Sequence, residues 1–409
     1  MKTEQKGDEI ARRAVRPRQR PKALMEIRNL KMAQSPHRYV RGNAAKFYEW
    51  LDEIGPNALP QGPPIWICGD CHIGNLGAVG NTKGDVAIQI RDMDQTTIGN
   101  PAHDLIRLSV SLATAARGSH LSGVVIARMT EALLAGYLGV LDSRHRFKGR
   151  PIKPAAIRAC IKEATNRTWR QLARKRLKTD QIPPGKQFWP LRRDERTAIE
   201  RLCRDQAMIE SVTHISAQEG DDKLQVIDAA YWVKGCSSLG RLRYAVLLGD
   251  GNRWKYSLLD IKEAALPAAP CVSRENLPRD NGDRVVQGAK NLSPFLGNRM
   301  VAARILGKSV VVRELLPQDL KLEVETLPAS DATELAYYLG SVVGRGHAGQ
   351  LSQSEARTWR RELMRHHGKT IEAPSWLWTC IVDLIGIHER QYLDHCRRWA
   401  LGGFAPESR

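Results

Sequence analysis

No stretch of this 409-residue chain offers about 18 consecutive uncharged apolar residues, the least that a membrane-spanning helix needs. Ser122 to Leu141 comes nearest, and Arg128 and Glu131 interrupt it. The N-terminus is charged from Lys2 onward and lacks an apolar core region, so no secretory leader is expected. Cysteine is sparse: eight residues over this length cannot make a disulfide framework, and a reduced, cytoplasmic protein is the expectation. There is neither an internal repeat nor a low-complexity tract. Acidic residues are outnumbered, 44 Asp and Glu against 63 Lys and Arg, for a net charge of +19. Partners that carry negative charge follow from that excess: nucleic acid, nucleotide phosphates or acidic lipid. With 42% hydrophobic and 26% charged residues, the chain can bury a large core, which excludes general disorder.

The charge is unevenly spread. Residues 144–204 hold 19 basic and 5 acidic residues. The first 31 residues hold ten basic and four acidic, with little apolar periodicity, and read as a mobile arm. Between these basic regions the pattern is compact α/β. Ala44 to Ile54 reads as a helix, Ile65 to Cys68 as a short strand, Asp85 to Ile90 as an alternating strand, and Pro101 to Arg117 as a helix. Gln225 to Lys262 reads as three consecutive strands, the last two joined at Asp250-Gly251, a hairpin signal. Val310 to Leu315 is a further strand. Asp331 to His347 is a helix with Asp331 and Glu334 in capping-box spacing, and a Trp-rich helical tail runs from Ser354 to Trp399.

Chemistry concentrates in Cys68-Gly-Asp70-Cys-His72-Ile-Gly-Asn75, with Asp92-Met-Asp94 following. Phosphoryl transfer needs a carboxylate to orient the attacking hydroxyl and oxygen ligands to hold Mg²⁺ against the phosphates. An Asp and an Asn five positions apart, in a loop between short strands, can present both, and an Asp after the next strand completes a metal clamp. Cys68-Gly-Asp-Cys71-His72 also fits the pattern for covalent haem attachment or a thiol pair. Haem attachment goes with export, and the other cysteines are too scattered to complete a zinc site. A second element, Gly235-Cys236-Ser237-Ser238-Leu239-Gly240, is a glycine-bearing turn between strands whose backbone amides could approach phosphates. Lys262 ends the third strand of that region, placed as a kinase's strand lysine is.

GDCHIGN followed by RDMDQTTIGNPAHDLIRL resembles the catalytic loop and metal segment of aminoglycoside-phosphotransferase-like kinases. Over most of its length the chain is also similar to the bacterial family called domain of unknown function 2252, through Lys31 to Tyr48 (KMAQSPHRYVRGNAAKFY), GDCHIGN, the DMD segment, KGCSSLG and DIKEA. The kinase resemblance implies Asp70 as catalytic base, Asn75 and Asp92 as Mg²⁺ ligands with Asp94 as a weaker candidate, and Asp104, with His72, as structural support for the loop. It further implies ATP as cofactor, held by Lys262 with Gly235, Ser237, Ser238 and Gly240. Cys68 stands where the kinase pattern has His, and Glu275 and Asp283 are both candidates for the ion-pair partner of Lys262. The motif order is inverted, because Asp70 precedes Lys262 by 192 residues and no glycine loop stands before it.

The expected architecture is therefore α+β: a protein-kinase-like two-lobe fold, circularly permuted, with a helical C-terminal part. Its divisions are a flexible basic arm (1–30), the catalytic-loop part of the larger lobe (31–143), a basic helical segment (144–220), a β-rich nucleotide lobe (221–326) and the helical remainder of the larger lobe (327–409). The expected function is Mg²⁺-ATP-dependent transfer of phosphate, or of AMP, to an unknown acceptor. An acidic or phosphorylated acceptor would suit Arg170, Arg174, Lys175, Arg176 and Lys178. The alternatives are a non-enzymatic nucleic-acid binder using the arm and the 144–204 block, or a degenerate kinase-like scaffold.

Overall fold

The computed structural model describes residues 14–142, 152–167, 181–213, 224–236, 238–249, 256–322, 329–365 and 375–401. In chain order the principal elements begin with helices α1 (Arg20–Ala33), α2 (Pro36–Gly42) and α3 (Ala44–Ile54). Strands β1 (Ile65–Ile67), β2 (Leu76–Gly80), β3 (Val86–Ile90) and β4 (Thr97–Gly99) follow. Next come α4 (Ala102–Gly118), α5 (Gly123–Leu141), α6 (Ala155–Asn166), β5 (Phe188–Trp189), α7 (Arg193–Leu202) and α8 (Gln206–Val212). The chain continues through β6 (Gln225–Trp232), β7 (Arg243–Gly249), β8 (Tyr256–Glu263), α9 (Asn281–Leu292), β9 (Met300–Ile305), β10 (Lys308–Glu314) and β11 (Leu320–Lys321). It closes with α10 (Ala329–Ala348), α11 (Gln353–Leu363) and α12 (Ser375–Cys396).

The result is an α+β protein with antiparallel sheets. β5-β6-β7-β8-β10-β9 form a six-stranded sheet, β11-β2-β3 a three-stranded one, and β1 pairs with β4. One apolar core joins α3 to α6 with α9 to α12, and a second packs α1, α7 and α8 on one face of the six-stranded sheet. The described parts of 144–220 divide between them: Ile157 and Ala164 of α6 enter the first core, Ile199 and Ile209 the second. The Asp250-Gly251 turn lies outside the described residues, and the strands on either side pair from Gly249 and Tyr256 as the hairpin reading requires.

Two expectations are corrected. The first 30 residues are not a mobile arm throughout: from Arg20 the chain is helical, and Ala23, Leu24 and Ile27 are buried. Buried Arg20 donates to both carboxylate oxygens of Glu195, at 2.8 and 2.9 Å. The apolar stripe at 23, 24 and 27 was masked by the surrounding basic residues. Asp331 does not cap its helix, which begins at Ala329; the carboxylate sits in the first turn, where the helix dipole still favours it.

α5 is long and apolar enough to cross a membrane by length and composition alone. Here it packs against α10 at glycine contacts. A Cβ at Gly136 would lie 2.0 Å from the Tyr337 carbonyl oxygen, and one at Gly340 would lie 2.0 Å from that of Leu133. This crossing carries α10, and with it His347, toward the loop that follows β1.

Candidate functional site

The loop Cys68–Asn75 leaves β1 and is held from four sides. Buried Asp104, in the first turn of α4, accepts from the amides of Cys68 (2.7 Å) and Gly69 (2.9 Å). His347 reaches the same carboxylate from α10, Nε2 to Oδ2 at 3.2 Å, while its Nδ1 lies 3.0 Å from the Tyr137 hydroxyl. The Trp359 indole donates to that hydroxyl as well. Tyr48 donates to the Gly69 carbonyl at 2.6 Å, and Thr96 to that of Ile67 at 2.6 Å. Gly69 has φ +73°, and a Cβ there would lie 2.2 Å from the Gln95 carbonyl oxygen, so only glycine fits. Bracing the loop therefore does not need a histidine at position 68. Cys68 and Cys71 are free, buried thiols; the hydrogen bond with Cys71 and burial push Cys68 well above the ordinary thiol range, which makes it a poor nucleophile.

Asp70 points into the site. Buried Arg107, one helical turn beyond Asp104, donates to its Oδ1 and, at 3.2 Å, to the Val40 carbonyl. Burial raises the Asp70 carboxyl and Arg107 opposes that rise without cancelling it. His72 Nε2 lies 3.9 Å from the other oxygen, Oδ2, too far for a hydrogen bond. Burial, then Arg41 and Arg107, hold His72 far below the usual imidazole range, so it is neutral. Asn75 donates from Nδ2 to the Asp70 carbonyl at 2.9 Å, which fixes its amide and leaves the side-chain oxygen as an acceptor.

Asp92 and Asp94 follow β3, and Lys262 comes to them from β8, 170 residues later in the chain. Its Nζ lies 3.0 Å from both Asp92 oxygens and 2.5 Å from Asp94 Oδ2. Burial alone would raise the Asp92 carboxyl, but the Lys262 ammonium outweighs it and holds it far below the ordinary range. Asp94 takes the opposite shift, because burial and the neighbouring Asp92 charge push it up to about 6. Neither Glu275 nor Asp283 is the partner of Lys262; both are exposed. Arg284 of α9, buried, instead ties the segment together by donating to the carbonyls of Asp94 (3.1 Å), Thr96 and Ala265 (2.8 Å).

A cavity of about 20 Å³ opens beside these groups, lined by Asp92, Asp94, Asp260, Lys262 and Arg313 among others. It has room for one water-sized occupant. Among the described residues no three His, Cys, Asp or Glu side chains form a ready-made metal site. The Lys262 ammonium is the cation that the two carboxylates share.

The Gly235–Gly240 turn uses left-handed backbone at both glycines, φ +91° and +102°. Lys31 donates to the Gly235 carbonyl at 3.0 Å, and Ser238 is buried. Cys236 packs beside Gly42 of α2, where a Cβ would lie 3.1 Å from its sulfur. Ser237 lies outside the described residues, as do Arg170, Arg174, Lys175, Arg176 and Lys178. Sequence reasoning missed Arg107 and Arg284. Arg107 had a signal, an arginine three positions after Asp104 between Ile106 and Leu108 of a largely buried helix; Arg284 had none.

No curated protein and no solved structure matches the chain. The family model described as "Uncharacterized protein conserved in bacteria (DUF2252)" matches residues 20–398, nearly the whole length that builds this site, and the chain belongs to that family.

Proposed function

We propose that this protein is a Mg²⁺-ATP-dependent phosphotransferase with a kinase-like, circularly permuted two-lobe fold. The observation that carries the reading is the meeting of Lys262 with Asp92 and Asp94 beside a braced Asp70 loop. A lysine on the third strand of a meander, a metal carboxylate and a catalytic-loop aspartate are the parts such chemistry requires. Their order along the chain matters less than their meeting at one cleft.

Asp92, Asn75 and Asp94 would hold Mg²⁺, since their hard oxygen donors suit that ion and the carboxylate pair already accommodates one cation. When bound, Mg²⁺ neutralises charge on the transferring phosphoryl group. Lys262 turns from the carboxylates to the nucleotide phosphates. The cavity beside Asp92 and Lys262 is where the phosphates would enter. Arg107 holds Asp70 Oδ1, so Oδ2 takes the proton of the acceptor hydroxyl. The acceptor oxygen then bonds to the γ-phosphorus, the bridge to the β-phosphate breaks, and ADP leaves with that electron pair. Burial raises the Asp70 carboxyl, which makes it a better base than an exposed aspartate.

The test is release or transfer of the ATP γ-phosphate by the wild type and by Asp70→Asn. Turnover should fall at least about 100-fold in the variant, with ATP affinity retained. Equal turnover would remove Asp70 from the chemistry, and labelled AMP on a product would convert the reading to nucleotidyl transfer.

A further inference from the structure

A group of donors without acceptors lies beside Asp70. Arg41, at the end of α2, has a buried Nε with no hydrogen-bond partner among the described residues. Its guanidinium lies flat against the catalytic loop: a Cβ at Gly74 would lie 2.6 Å from Arg41 Cζ. His37, one turn earlier on the same helix, has a buried Nδ1 with no partner. Nε and Nη1 of Arg107 are buried and unmatched in the same way, and so is the ring nitrogen Nδ1 of His72, a donor in one tautomer of the neutral imidazole. Native interiors rarely leave such donors unpaired, and several around one loop call for an acceptor that binds there.

The local charge favours an anion. Asp70 is already paired with Arg107, and Asp92 and Asp94 with Lys262. Arg41 and Arg38 stand beyond those pairs and act on His37 together with Lys321. Burial lowers the Arg41 pKa, with Arg38 adding to the effect, while Asp70 and Asp92 act in the opposite sense, so both carboxylates lie within electrostatic reach of the guanidinium. Burial, and then the neighbouring charges of Arg41, Lys321 and Arg38, push His37 down to about 4. A planar guanidinium suits phosphate oxygens, which it can engage through two parallel hydrogen bonds.

We propose that Arg41, with His37 beside it, forms a phosphoryl-binding subsite on the Gly74 side of the Asp70 loop. This deepens the phosphotransferase reading and rests on it for the location of the reaction, while the anion site itself stands on the unpaired donors alone. Two sources supply the same chemistry: the γ-phosphate of the nucleotide, or a phosphate carried by the acceptor.

The experiment is calorimetric titration of the full chain, wild type, Arg41→Gln and Arg41→Lys, with Mg²⁺-ADP, with the Mg²⁺ complex of the β,γ-imido ATP analogue, and with inorganic phosphate alone and on top of the saturating analogue. Mg²⁺-ADP should bind wild type and Arg41→Gln alike. A loss of about tenfold or more for the imido analogue assigns the subsite to the γ-phosphate. The same loss for inorganic phosphate, with the analogue unaffected, assigns it to the acceptor. Arg41→Lys should recover part of either loss, because it keeps the charge and loses the fork. Since Arg41 has no partner to orphan, the unliganded Arg41→Gln protein should melt no lower than wild type; a lower melting temperature would mark Arg41 as structural and overturn the proposal. Equal binding of every phosphate-bearing ligand to wild type and Arg41→Gln would overturn it too, and would leave the phosphotransferase reading standing if nucleotides bind. Arg41-dependent binding of phosphate with no nucleotide binding would keep the subsite and remove the phosphotransferase reading.

Discussion

Two ion-pair systems sit two residues apart on β8 and differ in kind. Asp260 is 1% exposed; Arg243 donates to it at 2.9 and 2.5 Å, and Arg313 adds a third contact at 3.4 Å. Burial would raise its carboxyl, but Arg243 and Arg313 hold it far below the ordinary range. Both systems line the cavity, but of the two carboxylates that Lys262 meets, Asp92 is 42% exposed and Asp94 17%. The sealed pair fixes the sheet. The open one holds its ammonium against a carboxylate that water reaches, so the pair is screened where the Asp260 pair is not.

The largest effect should come from breaking the sealed system. Asp260→Ala leaves Arg243 buried without its carboxylate and should cost about 3–5 kcal/mol of unfolding free energy, read from urea midpoints. Lys262→Met should cost less, because Asp92, one of its two partners, is part exposed and Asp94 can take up a proton. Equal destabilisation by the two would erase the distinction.

The next effect comes from the helix crossing that carries His347. Gly136→Ala must push α5 from α10, since its Cβ would meet the Tyr337 backbone, and overpacking of this kind costs about 1–3 kcal/mol. It should also slow turnover by loosening the Asp104 brace, whereas Gly118→Ala, with open space around it, should change neither.

The smallest effect concerns protons. His103, half-buried against Phe47 and Tyr48, is pushed down to about 4 by burial, and His37 likewise. Between about pH 4 and the ordinary imidazole value near 6.5 the unfolded chain binds protons that the folded chain refuses. Stability therefore rises with pH across that window and is lost as pH falls through it. His103→Gln should lower the slope of unfolding free energy against pH by about one proton there. An unchanged slope would show that His103 titrates normally in the folded state.

Much of this was legible in sequence where local pattern decides structure. α3, β1, β3, α4 and the β6–β8 run match the apolar periodicity, and Asp104 bracing the loop follows from the resemblance of its segment. What stayed hidden depended on distant chain segments. Arg284 acts through backbone carbonyls that only the fold brings near, and no local spacing announces it; Arg107 stands one turn after Asp104, but the Asp70 carboxylate it meets is also brought near only by the fold. α1 was hidden by composition: its lysines and arginines resemble a tail, and only four of its apolar residues, Ala23, Leu24, Ile27 and Met32, are buried. Lys262 was placed in the site by motif, yet its partners were sought in the following helix and loop rather than across the cleft, where Asp92 and Asp94 wait.

The central claim is that the open cation site binds Mg²⁺ together with ATP. Titrating ATP into wild type, Asp92→Asn and Lys262→Met, with Mg²⁺ and with chelator, tests it most directly. Wild type should bind at least about tenfold tighter with Mg²⁺, Asp92→Asn should lose that Mg²⁺-dependent gain, and Lys262→Met should weaken ATP under both conditions. Asp92→Asn binding Mg²⁺-ATP as tightly as wild type would contradict the account.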